Sequence, residues 1–154
     1  MVNSVDKQIQ RLIKKGGEFD SQFDLVALKS ALESADIGCF RADCSRARNR
    51  SAVFRAVVKA VDYPEFFGSS FDGLYDCLND TISDQKVGVA LLFDDLHSAD
   101  PDLESDMPRL MEILKEVSEY AIEQGKVFVF GIKHGGKHPA AVPGVVQNWS
   151  ETPS

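Results

Sequence analysis

Val87-Gly88-Val89-Ala90-Leu91-Leu92-Phe93 is a nearly unbroken apolar run. A strand with one wet face alternates polar and apolar residues, so a run without alternation predicts a strand of a parallel sheet, covered on at least one face. Lys126 to Ile132 (KVFVFGI) has the same character. Between the two, Leu110, Ile113, Leu114, Val117 and Ala121 recur at helical spacing, with Asp106 as a cap, Pro108 in the first turn and Gly125 as a stop. On the N-terminal side, Ile37 to Asp43 is a shorter strand candidate that leads into an arginine-rich loop, Arg46 to Arg50. Phe54, Val57, Val58 and Val61 then form a helical stripe that stops before Asp62-Tyr63-Pro64. Strands alternating with helices predict βαβ units with right-handed crossovers. The expected fold is a small α/β domain over residues 36–132, with a three-stranded parallel sheet packed by helices.

The flanks differ in character. Val5, Ile9, Leu12 and Ile13 share one helical face, with Asn3 or Ser4 as a cap and Lys14-Lys15-Gly16-Gly17 as a stop. A second short helix, from about Asp24 to Ala35, places Leu25, Leu28 and Leu32 together. Residues 1–35 are therefore expected to form a helical extension, packed on the domain or tethered to it. From Lys133 onward proline and glycine recur, and residues 133–154 read as a mobile tail.

The 154 residues suit one domain, and 44% hydrophobic with 27% charged residues describes an ordinary globule. No apolar run approaches the ~20 residues that cross a bilayer. The N-terminus shows no apolar signal core, so the expected location is cytoplasmic. Cys39, Cys44 and Cys77 are odd in number and lack framework or metal-ligand spacing, so reduced, buried thiols are expected, with no metal and no cofactor. The net charge of −7 is unevenly spread: residues 62–125 carry sixteen acidic side chains against three basic ones, a local −13. Such a segment repels phosphates and attracts basic protein surfaces. Direct nucleic acid and membrane partners are not expected.

The acidic segment opens with Tyr63-Pro64-Glu65-Phe66-Phe67-Gly68-Ser69-Ser70-Phe71-Asp72-Gly73-Leu74-Tyr75-Asp76-Cys77-Leu78. Ser70 (or Ser69) can cap a helix over residues 70–82, and Asp72 favours its positive end. At 100° per residue Asp72, Tyr75, Asp76 and Asn79 share one face, while Phe71, Leu74, Cys77, Leu78 and Ile82 share another that should enter the core. Two carboxylates flanking an aromatic, beside a loop with Phe66, Phe67 and Gly68, suit arginine- and lysine-bearing partners.

This segment resembles the signature of the barstar family of ribonuclease inhibitors: a Pro-Glu-aromatic-aromatic-Gly loop, a cap, then a Leu-Asp-x-Leu-aromatic-Asp-Cys-Leu helix. The resemblance extends more weakly over Ile37 to Ile132. It implies a non-enzymatic protein of immunity or antitoxin type, cytoplasmic and bacterial in kind and monomeric on its own. Such a protein occludes the active site of a basic ribonuclease or nuclease toxin. It further implies that Asp76 reaches the nuclease's phosphate site, supported by Asp72, Tyr75, Phe67 and Gly68. Three departures bear on the target: Tyr75 stands where tryptophan is common, Phe66 and Phe67 where tyrosines occur, and Tyr120, beside Glu119, where some members carry a glutamate.

Rival readings come from other residues. Asp94 and Asp95, at a strand end, with Lys133 after the last strand, could hold Mg²⁺ and a phosphate in a phosphoryl-transfer or receiver-like domain. Gly131 to Lys137 matches G-x-x-x-x-G-K, but His138, Pro139 and Pro143 follow where a phosphate-binding helix would start. His97, His134 and His138 show no triad or zinc spacing. Arg46, Arg48, Arg50 and Arg55 could bind an anion. A non-inhibitory adaptor would use the same acidic helix.

Overall fold

The computed structural model describes residues 4–19 and 25–138. The expected cap at Asn3, the helix start at Asp24 and residues 139–154 lie outside these. The elements are α1 (Ser4–Lys15), β1 (Gly17–Glu18), α2 (Leu25–Ser34), β2 (Ile37–Asp43), α3 (Arg50–Val61), α4 (Phe71–Asp84), β3 (Gly88–Leu96), α5 (Pro101–Glu104), α6 (Met107–Glu123) and β4 (Val127–His134).

The sheet has four strands, not three, all parallel and in the order β1-β4-β3-β2. The additional strand is Gly17–Glu18, which pairs with Val129 and Phe130; the Phe19 amide then donates to the Phe130 carbonyl at 2.8 Å. Two residues carry no periodicity, and the glycine pair looks like a helix stop. Its pairing comes from tertiary contact, not propensity. Gly16 (φ +69°) and Gly17 (φ +103°) take the backbone from α1 into the sheet through a region that favours glycine.

The apolar runs of β3 and β4 follow from two covered faces. Val89, Leu91 and Phe93, with Phe128, Phe130 and Ile132, point into the larger core shared with α3, α4 and α6. Ala90, Val127 and Val129 point the other way, against Ile9, Leu12, Phe19, Leu28 and Leu32 of the N-terminal segment. A side chain at Gly131 would strike the Phe19 ring, since its Cβ would lie 2.4 Å from Cε2. Close packing of that ring accounts for Gly131, the first residue of the phosphate-loop-like pattern.

Three local features differ from expectation. Asp106 precedes α6 but does not cap it with its side chain; the carboxylate instead accepts a 2.9 Å bond from Arg50 Nη1. The short helix α5 has too few residues for a periodic signal. Lys133 and His134 belong to β4, and the Gly135 amide donates to the Leu96 carbonyl at 2.8 Å. Among the described residues, no helix is long and apolar enough to cross a membrane.

Candidate functional site

Helix α4 is built by its own sequence. Ser70 accepts from the Gly73 amide at 3.2 Å, and Asp72 lies in the first turn, where a carboxylate meets the positive end of the helix. Leu74, Cys77, Leu78, Thr81 and Ile82 are buried, and Phe71 is half-buried against the same core. Each fully buried aliphatic side chain contributes roughly 1.5–3 kcal/mol. The opposite face is thereby fixed outward: Asp72 and Asp76 are exposed, while Tyr75 and Asn79 are half-buried, Tyr75 against Tyr120 of α6.

Gly73 interrupts this helix at a cost of about 1 kcal/mol relative to alanine. Packing supplies the reason. Phe67 lies so close that a Cβ at Gly73 would be 2.6 Å from its Cδ1. Phe67 also meets Phe54 at 5.5 Å and Phe66 at 5.7 Å between ring centres. Gly68 turns the loop with φ +84°, and nothing occupies the space beside it. The Arg55 guanidinium stands 4.1 Å over the Phe66 ring, and that of Arg50 4.8 Å over Phe71. The loop is thus pinned from both sides.

On the α6 side, the Tyr75 and Tyr120 rings lie 6.4 Å apart, and Tyr120 keeps 40% of its surface exposed. Asn79 Oδ1 is buried with no hydrogen-bond partner among the described residues. Arg109 of α6 is bonded to Glu112, and that bond, with the charges of Glu112, Glu116 and Asp72, holds its guanidinium above the usual range.

With this geometry in place, the family comparison is decisive: the model described as Barstar (barnase inhibitor) matches residues 37–133, more than half of the chain. The chain belongs to the barstar family. A comparison with curated proteins gives no match. The matched span begins at the first residue of β2 and ends inside β4, so α1, β1 and α2 lie outside the barstar match.

In this barstar-family chain, α4 and its preceding loop bring together eight of the nine residues singled out from sequence: Phe66, Phe67, Gly68, Ser70, Asp72, Tyr75, Asp76 and Asn79. Tyr120 joins them through its ring contact with Tyr75. Glu119, next to it, is exposed on α6. Sequence reasoning missed Asp80, whose carboxylate accepts a 2.6 Å bond from the Tyr63 hydroxyl. That bond, ahead of desolvation, pushes the Tyr63 phenol up to about 12. The signal was present, because Asp80 follows Asp76 by four residues and prolongs the same carboxylate row. Arg50 and Arg55, two of the four arginines that could bind an anion, stand over aromatic rings of this region.

The rival sites come apart in space. Asp94 accepts a 2.6 Å bond from Arg41, and Asp95 lies at a register shift of β3 with φ +57°, so both belong to β3. Arg41 already supplies the charge that a cation at Asp94 would supply. Among the described residues no cluster of three or more histidine, cysteine or carboxylate side chains is placed to hold a metal ion. Cys44 and Cys77 are buried and Cys39 half-buried, all as free thiols.

Proposed function

We propose that this chain inhibits a basic ribonuclease or nuclease toxin by docking α4 and the Phe66–Gly68 loop over its active site. The observation that carries the reading is the exposure of Asp72 and Asp76 on a helix whose other face is locked in the core. Fixed carboxylates beside an aromatic loop offer cationic phosphate-binding residues the charge they would otherwise find on RNA. Binding of this kind requires no chemistry from the inhibitor. Phe66 and Phe67 stand where hydroxyl-bearing tyrosines occur in the family and Tyr120 where some members carry a carboxylate, which favours a target other than the ribonuclease met by those members. Such a protein works beside its target, in the cytoplasm of the producing cell, as a monomer before it binds. The test is capture from the host lysate on immobilised chain, with Asp76→Ala as the control bait, followed by an RNA-cleavage assay. Recovery of a basic nuclease by the wild type alone, with its activity suppressed on addition of the chain, supports the proposal. A captured protein without nuclease activity would favour an adaptor that uses the same helix.

A further inference from the structure

At the C-terminal end of the sheet, three chain segments converge on two histidines. His97 follows β3 and His138 follows β4, and their ring centres stand 3.7 Å apart. His97 Nε2 faces the Ser45 carbonyl at 3.1 Å, and its Nδ1 faces the Gly136 carbonyl. His138 Nε2 faces the same Ser45 carbonyl at 3.0 Å, and its Nδ1 faces Asp100 Oδ2. The backbone amide of His138 donates to the other oxygen of Asp100 at 2.7 Å. Asp100 is only 3% exposed.

A neutral imidazole has one N–H donor and one acceptor nitrogen; only the protonated ring donates from both. Here all four ring nitrogens face oxygens that accept. The complete set of bonds therefore exists only when both rings are imidazolium, the form histidine gains and loses between about pH 5 and 8. Two stacked cations repel each other. The charged groups placed against them are Asp100, on His138, and Asp95, 3.8 Å from His97 Nε2. Cys44, beside Ser45, adds no charge, because burial above all pushes its thiol up to about 12. Burial alone would raise the Asp100 carboxyl, but the His138 bonds and the charges of both rings outweigh it and hold the group below the usual range. His134 differs: its Nδ1 meets the Ser98 hydroxyl at 2.6 Å, which can donate or accept as required.

We infer that His97, His138 and Asp100 form a proton-operated clasp that fastens the end of β4 to the loops after β2 and β3. The clasp is complete where the carboxylate is ionised and both rings are protonated. It loosens when either ring loses its second N–H proton, and again when Asp100 gains one. Nothing in it depends on the inhibitor reading, because none of its residues lies on α4 or the Phe66–Gly68 loop.

The full chain tests this by nitrogen-detected NMR of the imidazole rings, together with hydrogen exchange at the Gly135 and His138 amides, corrected for intrinsic rate. In the closed clasp all four ring nitrogens should carry protons. By pH 8 protection of the two amides should fall about tenfold or more, the scale of a lost charge-assisted hydrogen bond, while amides inside β3 and β4 keep theirs. Asp100→Asn should lower protection at pH 5.5 and flatten the dependence; His134→Asn should leave it intact. Equal protection at pH 5.5 and 8, or a dependence that survives Asp100→Asn, would overturn the clasp. Should Asp100→Asn fail to fold, the wild-type titration decides the question alone.

Discussion

Truncating Phe19 to alanine probes the part of the fold that lies outside the family match. The ring is 5% exposed and belongs to the apolar cluster on the second face of the sheet. Its neighbour below, Gly131, has no side chain to move into the space it leaves, and the strand beneath is hydrogen-bonded on both edges. A site that cannot collapse keeps its cavity, so the loss should fall within the roughly 3–5 kcal/mol seen for buried Phe→Ala changes. Against a total stability of about 5–15 kcal/mol, that is a large fraction. At about 2–4 °C per kcal/mol for a chain of this size, Tm should fall by about 6–20 °C. Urea unfolding followed by circular dichroism, with calorimetry alongside, measures both. A single shifted transition is expected, because α1, β1 and α2 share the sheet with the rest of the chain. A loss under about 1 kcal/mol, or an early separate step that leaves the main midpoint in place, would refute the reasoning and make residues 4–34 an independent appendage.

Three further outcomes follow from α4 and from the thiols. Asp76→Ala should weaken binding to the captured nuclease by about 2–5 kcal/mol, roughly 30-fold to several-thousand-fold, while Tm stays nearly unchanged because the side chain is exposed and forms no ion pair among the described residues; calorimetric titration and a thermal scan read the two halves of this statement. Raising salt from 50 to 500 mM should slow association far more than dissociation, since steering by a segment of charge −13 is screened, and an on-rate indifferent to salt in stopped-flow measurements would remove electrostatic capture. Burial, ahead of every other influence, pushes the Cys44 and Cys77 thiols up to about 12, so at pH 8 both should resist iodoacetamide until the chain unfolds, with the half-buried Cys39 modified first in peptide mass spectra.

What the sequence disclosed depended on the range over which each signal is written. The strand candidates at Val87–Phe93 and Lys126–Ile132 were legible because burial on two faces leaves an uninterrupted apolar run, and β3 and β4 lie there. The stripe from Leu110 to Ala121 was legible for the same reason in helical period, and all five of its residues are buried. Gly17–Glu18 was not. A two-residue strand has no period, and its partners Val129 and Phe130 lie more than a hundred residues away. Phe19 could be seen as apolar, but only the contact with Gly131 explains why it is there. The end of β4 was obscured by composition: Gly135, Gly136 and His138 look like the start of a tail, yet the bonds that hold them come from Leu96, His97 and Asp100, which no local pattern links to them. At α4 the residue types and their face were plain, whereas the Tyr63–Asp80 bond and the two arginines over phenylalanine rings needed a loop closure that spacing alone does not specify.

The glycine at position 73 joins the two requirements that α4 has to meet. A helix that serves only the core would gain from alanine there, by about 1 kcal/mol of propensity. The absence of a side chain lets Phe67 pack closely on the helix, where Phe54 and Phe66 flank it and Arg55 covers Phe66. The loop is then fixed against the helix before any partner arrives. Each rotamer-rich side chain frozen on binding costs about 0.5–1.5 kcal/mol, so a loop already caged in the free protein avoids part of that loss. The carboxylates gain in the same way: Asp72 and Asp76 have no freedom of backbone, because Leu74, Cys77 and Leu78 anchor the turns that carry them. Helical propensity is given up at one position so that Phe67 packs against both the helix and the core residue Phe54, and the loop is thereby joined to the helix that carries the acidic face.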